Sequence, residues 1–473
     1  MQLTFINTNK MKDTLFKEFP EVSREQWKKQ IQSDLKGADY HEKLVYKSRE
    51  GIDIQPFYHP DDLEESGQPA PPGKWSVCEK ITAVTAHEAN TKAKELLEKG
   101  AESLWFVIPS ETVAPEILLS GIDLKQIPIF LEPEFLSEKY FILLQKYLKG
   151  KENKVYLMTD ILGNLARTGT WYFDSKQDHK ILENRIKRSS GFQSVVSIDT
   201  SLYQNAGASI PEQLAFSLAH INEYLNYLDN RAAGLNDFQP LFKIASGGNY
   251  FFEIAKVKAL RWLYASLAGE YNLPPQCYIL AQPTLRNKTL YDYNVNLLRT
   301  TTECMSAVLG GADAVCNMAY DHIFHHHNDF GERIARNQLL VMKNEAYFDK
   351  VANPADGAYY MESLTKQFAE AALDIFKKIE AGGGFLKQLK AGILQKQIKK
   401  SAENEQQQFD NGELILIGTN KFPNPEDRMN SNLEKDAFTS DFSGNSIIEP
   451  IQERRLSKRA EKERLEKEKT VLT

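Results

Sequence analysis

Short apolar runs alternate with longer amphipathic stretches along most of the chain. The runs are SLWFVI (103–108), IPIFLE (127–132), KVYLMTDI (154–161), SVVSIDT (194–200), LFKIAS (241–246), CYILAQP (277–283), DAVCNMA (313–319) and ELILIG (413–418). They are rich in β-branched and aromatic residues and lack strict alternation, as strands covered on both faces should. Between them apolar residues recur at helical spacing over 86–99, 134–149, 211–231, 247–268, 289–309 and 331–346, then over a longer pair from 359 to 407. Eight strands alternating with helices is the count that closes a parallel barrel. The pattern therefore predicts an α/β fold, a TIM-type (β/α)8 barrel. A doubly wound open sheet is the alternative, but the G-x-G-x-x-G that usually opens its first helix is absent.

Both ends depart from this rhythm. Trp27, Ile31 and Leu35 follow Ser23 at helical spacing, which predicts a helix over 24–36 with Ser23 as its N-cap. LVYKS (44–48) and GIDIQPFY (51–58) read as short β pieces around a turn at Gly51, and ESGQPAPPGK (65–74) as punctuation. The expected division is an N-terminal extension over 1–70 suited to subunit contact, a barrel over 71–420, and a loop with a charged tail over 421–473. Between 451 and 473, eight Lys or Arg interleave with five Glu, the pattern of a solvated helix.

Composition narrows the class. Of 473 residues, 42% are hydrophobic and 26% charged, which excludes a mainly disordered or fibrous chain. A net charge of −6 offers no global basic field for nucleic acid or an anionic membrane. No apolar run reaches the ~18 residues of a membrane span, and the opening MQLTFINTNKMKDTLFKEF lacks the core of a secretory leader. Cys78, Cys277, Cys304 and Cys316 include no C-x-x-C pair, so reduced thiols in a cytoplasmic protein are expected.

Candidate chemistry is sparse. His322 and His326 stand at i,i+4 and would share a metal on a helix, but no H-E-x-x-H accompanies them, and His325, His326 and His327 run into Asn328-Asp329, a loop signature. Gly382-Gly383-Gly384 lacks the Lys-Ser/Thr of a phosphate cradle and reads as an interhelix turn. Asp160 and Asp199 close predicted strands, at the rim where barrel carboxylates act; a rim carboxylate also caps helices or pairs with Arg. Arg286 and Lys288 would hold an anion or, as the favoured reading, lie in a solvated loop. No residue is assigned as catalytic, cofactor-binding or metal-binding.

Longer stretches carry a resemblance. The opening WKKQIQSDLKGADYHEKLVYKSREGIDIQPFY (from Trp27), TDILGNLARTG (159–169), YQNAGASIPEQLAFSLAHINEYL (203–225) and GNYFFEIAKVKALRWLYA (248–265) resemble the methylmalonyl-CoA mutase family, its small subunit above all. So do RTTTECMSAVLGGADAV (299–315), DFGERIARNQLLVMKNE (329–345) and ANPADGAYYMESLT (352–365), in the same order. The resemblance spans residues 20–420. It implies a TIM barrel after an N-terminal extension. In the active subunit of such a pair, acyl-CoA threads the barrel axis and adenosylcobalamin caps its mouth, where cobalt–carbon homolysis starts a radical rearrangement between methylmalonyl-CoA and succinyl-CoA.

Departures from the active subunit's pattern imply a different role. Ser201 and Leu202 stand where it carries a Tyr-His pair before the stretch Tyr203-Gln204-Asn205-Ala206-Gly207-Ala208, and leucine cannot donate to a thioester carbonyl. Met158 replaces a glutamine, and Thr168 an arginine that clamps the substrate carboxylate. The family's Arg-Thr-His-Ser-Gln-Thr stretch reads Tyr278-Ile279-Leu280-Ala281-Gln282-Pro283; Cys316 replaces a rim histidine; the family's Tyr and Arg have no counterpart in GQPAPPGKW before Trp75. None of the nine histidines lies in D-x-H-x-x-G, the cobalt-ligating pattern, so a C-terminal cobalamin-binding domain is not expected. Met158 and Leu202 are expected to point inward and fill the axis. The resemblance implies the small, non-catalytic subunit of an adenosylcobalamin-dependent mutase, the cofactor being held by a large catalytic partner. The alternatives are a catalytic acyl-CoA mutase barrel that borrows a separate cobalamin protein, and a cofactor-loading chaperone, which would carry a P-loop.

Overall fold

The computed structural model describes residues 18–62, 73–229, 238–438 and 446–471. The helix Arg24–Asp34 starts where Ser23 makes a reciprocal capping box with Gln26. It buries none of its residues. Trp27 stacks on Phe57 with ring centroids 4.5 Å apart, so the helix rides on the small antiparallel hairpin β1 (Tyr46–Lys47) and β2 (Asp53–Ile54) and the segment after it. Most of the punctuation expected at 65–74 lies outside the described residues.

Eight parallel strands follow: β3 (Ser76–Thr82), β4 (Ser103–Ile108), β5 (Ile129–Pro133), β6 (Val155–Leu157), β7 (Ser197–Asp199), β8 (Leu241–Ser246), β9 (Tyr278–Pro283) and β10 (Ala314–Cys316). They run in the order β6-β5-β4-β3-β10-β9-β8-β7. A parallel bridge between Tyr156 and Ser194, with Leu157 N donating to Ser194 O, brings the two ends together. The result is a TIM-type (β/α)8 barrel with helices packed around it.

One strand of the expected eight is exchanged. SVCEKIT (76–82) supplies the first strand; Glu79 and Lys80 break its apolar run because Glu79 pairs outward with Arg336 at 3.1 Å while Lys80 lies over the Trp105 ring. ELILIG is not in the sheet. Ile415 and Ile417 are exposed, and Asn420 holds the segment as a turn by accepting from Leu416 N and donating to Phe409 O and Leu414 O. A local side-chain clamp here replaces a ladder.

The core divides into two. A large shell between strands and helices contains Leu104, Phe106, Leu131, Ile198, Leu202 and Phe242. A separate inner cluster contains Cys78, Trp105, Val107, Phe130, Tyr156, Met158, Leu241, Leu280, Ala314 and Cys316, with Tyr278 packed against it. Alternate residues of every strand but β7, which gives only Ile198 to the outer shell, supply the two sets, which is the period of two expected of a barrel wall.

The chain's last described stretch returns to the barrel's C-terminal face. Ile447 N donates to Gly169 O, Ile451 N to Ala166 O, Arg454 N to Asn205 O and Leu456 N to Arg286 O. The helix Lys458–Val471 then packs with Glu461, Leu465 and Glu468 buried. Glu461 accepts from Leu290 N at 2.7 Å, and Glu468 from Met429 N at 3.0 Å. The interleaved charges therefore do not make a fully solvated helix, because one face of carboxylates meets backbone donors of neighbouring loops. No helix of the described residues is long and apolar enough to cross a membrane.

Candidate functional site

In a barrel of this kind the place to look for chemistry is the axis and the C-terminal mouth. The axis is filled. Phe130, Tyr156 and Tyr278, from β5, β6 and β9, form a mutually packed trio with centroid separations of 5.2, 5.5 and 4.5 Å. Trp105, fully buried, and Met158 belong to the same inner cluster. Met158 thus faces inward as expected. Leu202 does not: it sits on the short helix Ser201–Ala206, which turns Ser201 back toward Asp199 and sends Leu202 into the outer shell. The larger plugs, Trp105 and Phe130, lie on strands where sequence reasoning named no residue. No signal in SLWFVI or IPIFLE marks them, because these runs are apolar on both faces.

Above the rings lies a polar network in which Lys243 and Asp199 are buried and Glu132, Arg167 and Glu453 are partly exposed. Glu132 accepts from Trp105 Nε1 at 2.9 Å and from Lys243 Nζ at 2.7 Å. Lys243 also reaches Asp199 at 2.7 Å, and Arg167 pairs with Asp199 and, at 3.1 Å, with Glu453. Burial works to raise the Asp199 carboxyl, but Lys243 and Arg167 together hold it well below the ordinary carboxylate range. Every charge in this network has an opposite partner, so none is poised as a base or nucleophile.

Asp160 is equally occupied. It caps the helix Ile161–Thr168 through Gly163 N at 2.7 Å, accepts from Tyr224 OH at 2.8 Å and from Asp199 N at 2.9 Å, and faces His220 Nε2 at 2.9 Å. Burial pushes its carboxyl up; His220 and the donated bonds outweigh that and lower it. Both rim carboxylates thus have their oxygens engaged, one as a helix cap and one as an ion-pair partner.

Arg286 and Lys288 do not lie in a solvated loop. Both are buried: Arg286 pairs with Glu405 at 2.7 Å and donates to Arg454 O, and Lys288 pairs with Glu303 at 2.7 Å. Burial lowers Lys288 and raises Glu303, each partly opposed by the other. These pairs pin the loop after β9 to the helices Ile393–Asp410 and Val295–Gly310. The apolar patterning of a loop does not announce such pairs.

The histidine stretch is a rim loop. His325 meets Asp321 at 3.1 Å; His326 and His327 are exposed. His322 faces the mouth, where burial and then Lys435 and Lys80 push its imidazole down to about 3, keeping it neutral. Among the described residues no group of three or more His, Cys, Asp or Glu is arranged to hold a metal ion. Gly382–Gly384 joins the helices Tyr359–Ala381 and Phe385–Lys390; Gly383 and Gly384 have φ of 101° and 87°, and a Cβ on Gly384 would meet Glu223 Oε2 at 2.8 Å.

What remains open at the mouth is a cavity of about 630 Å³ lined by Arg167, Thr168, His322, Lys435 and the strap residues Glu453 and Arg454. Thr168 Oγ1 donates to Asn164 O at 2.8 Å and is no carboxylate clamp. Cys316 pairs in register with Cys78 on the neighbouring strand, and both thiols face the inner cluster. Trp75 is buried beneath Lys343, whose ammonium lies 4.9 Å from its ring.

A family model described as methylmalonyl-CoA mutase matches residues 113–470. The chain is 32% identical over 447 residues to a methylmalonyl-CoA mutase small subunit of Porphyromonas gingivalis, covering 88% of this chain and 72% of that protein. It is 28% identical over 445 residues to a methylmalonyl-CoA mutase small subunit of Streptomyces virginiae, with 87% and 72% covered. A methylmalonyl-CoA mutase of Escherichia coli is 26% identical over 435 residues, with 80% and 61% covered.

Proposed function

The chain belongs to the methylmalonyl-CoA mutase family, and from that premise we propose that it is the small, non-catalytic subunit of such a mutase, acting by stabilising a large catalytic subunit. The observation that carries this reading is the filled axis. An acyl-CoA running down the barrel would have to displace Phe130, Tyr156 and Tyr278, whose rings pack on one another, the first two buried and Tyr278 partly so. Removing such packing costs about 3–5 kcal/mol per aromatic side chain.

The mouth supports the same reading. A cobalamin held at this chain's mouth would have to meet the C-terminal face, and that face carries the strap of residues 446–457, bonded to Gly169, Ala166, Asn205 and Arg286. The residues there do not fit a corrin, and no step is assigned to one on this chain. Adenosylcobalamin and the exchange between methylmalonyl-CoA and succinyl-CoA belong, in this proposal, to the large partner, in the cytoplasm.

The contact with that partner is assigned to the N-terminal extension. Phe19, Val22 and Trp27 stand exposed there, and the helix Arg24–Asp34 buries nothing against its own barrel. A permanent pair should bury more than about 2,000 Å² in total. The test is a pull-down of this chain from its native source. The proposal expects a larger, cobalamin-binding chain in stoichiometric amount; a chain that purifies alone and stays monomeric contradicts it.

A further inference from the structure

A cleft of about 720 Å³ lies along the strap between the helix Ile393–Asp410 and the start of the helix Lys458–Val471; it adjoins the mouth cavity and shares Ile451, Gln452, Arg454, Arg455 and Lys458 with it. Its volume is that of a small-ligand site. Ala206, Ile398, Ala402, Pro450 and Ile451 line it with small apolar surfaces. The rest of the lining is three Gln, two Glu and seven Lys or Arg, on a chain whose net charge is −6. This is a local reversal of the molecule's own field. Of the cations, Arg286, Lys399, Arg455 and Arg459 already pair with Glu405, Glu449, Glu461 and Asp410.

Three features say that the cations serve an anion. Arg286, 6% exposed, lines the cleft with only its Nε and NH1 engaged among the described residues. Arg454 and Lys462 are exposed and have no acidic partner among the described residues, unlike Arg459, which pairs with Asp410 at 2.8 Å. Lys458, Arg459 and Lys462 also stand in the first turns of a 14-residue helix, where the helix dipole disfavours cations. A bound anion offsets both the mutual repulsion and the dipole.

An apolar floor beside a polycationic rim fits a ligand with one flat, uncharged part and one polyanionic part. We propose that this cleft binds a nucleoside polyphosphate, with the base against Ile398, Ala402 and Ile451 and the phosphates against Arg286, Arg454, Lys458 and Lys462. A bare inorganic polyphosphate would leave the floor uncovered. The site is independent of the subunit role: it shares no residue with the axis or with the N-terminal extension.

Calorimetric titration of the full chain with ADP, adenosine and tripolyphosphate tests it. ADP is expected to bind, adenosine and tripolyphosphate each at least tenfold more weakly, with affinity falling as salt rises. R454E/K462E should weaken ADP at least tenfold, K462E alone should weaken it measurably, and K467E, exposed on the same helix but outside the cleft, should change nothing. Arg454 and Lys462 are exposed, so a thermal melt equal to the wild type's certifies the fold. Absence of ADP binding, tripolyphosphate binding as tightly as ADP, or indifference of a folded K462E to ADP would each overturn the proposal.

Discussion

Asp199 shows how a residue that resembles a catalyst becomes a strut. It ends β7 at the rim, yet Lys243, Arg167 and Ser201 take up its oxygens. Asp199→Asn leaves Lys243 with Glu132 alone and Arg167 with Glu453 alone, so it should cost less than the ~3–5 kcal/mol of a fully orphaned buried charge, read as a lowered midpoint in urea. The pH dependence has a definite sign. The folded carboxyl is held below its unfolded value of about 3.9, so its stabilisation is complete above that value and drains away as pH falls through the lower folded one. Acid unfolding below about pH 4 should therefore be steeper for the wild type than for Asp199→Asn. Leu202 makes the complementary point. Leu202→His restores the family's residue type at that place but puts a polar ring into the outer shell. The expectation is a loss of about 1–3 kcal/mol and no mutase turnover with added adenosylcobalamin; a measurable rate from that one change would argue that the site was only lightly disabled.

At the scale of elements, the strap and its helix narrow the mouth to the cavity beside Arg167 and His322, held by backbone bonds and by a few carboxylates. Glu461 receives Leu290 N and pairs with Arg455. Glu461→Ala should strip that backbone donor and free the Arg455 guanidinium, costing about 1–3 kcal/mol locally. Hydrogen exchange should then rise at residues 288–293 and 447–458 while β3 to β10 stay protected; uniform protection after the change would mean the strap is held elsewhere. The alternation of strands and helices was legible from the sequence because both faces of a parallel strand are apolar. What misled was composition at the ends. SVCEKIT hides a strand because Glu79 and Lys80 have specific partners across the barrel wall. ELILIG mimics one although Asn420, two residues on, turns it into a loop. The charged run at the end was readable as a helix but not as a packed one, because Glu461 and Glu468 meet backbone donors that only the fold brings near. The candidate site was legible as a set of lost polar groups, Met158 and Thr168 among them. The side chains that close the axis, Trp105, Phe130 and Tyr156, were not, since inward and outward residues of a buried strand look alike.

For the whole molecule, the account separates scaffold from chemistry. The fold is that of the mutase family, while the space where an acyl thioester would run is occupied by aromatic rings and a fully paired charge network. Phe130→Ala in the inner cluster should lower stability by about 3–5 kcal/mol without conferring thioester binding, since the ring of Trp105 and the strap remain. The measurement that bears most directly on the central claim is turnover of methylmalonyl-CoA by the purified chain with adenosylcobalamin, alone and then co-expressed with its large partner. The account predicts none from the chain alone and full isomerisation from the pair; succinyl-CoA formed by the lone chain would contradict it.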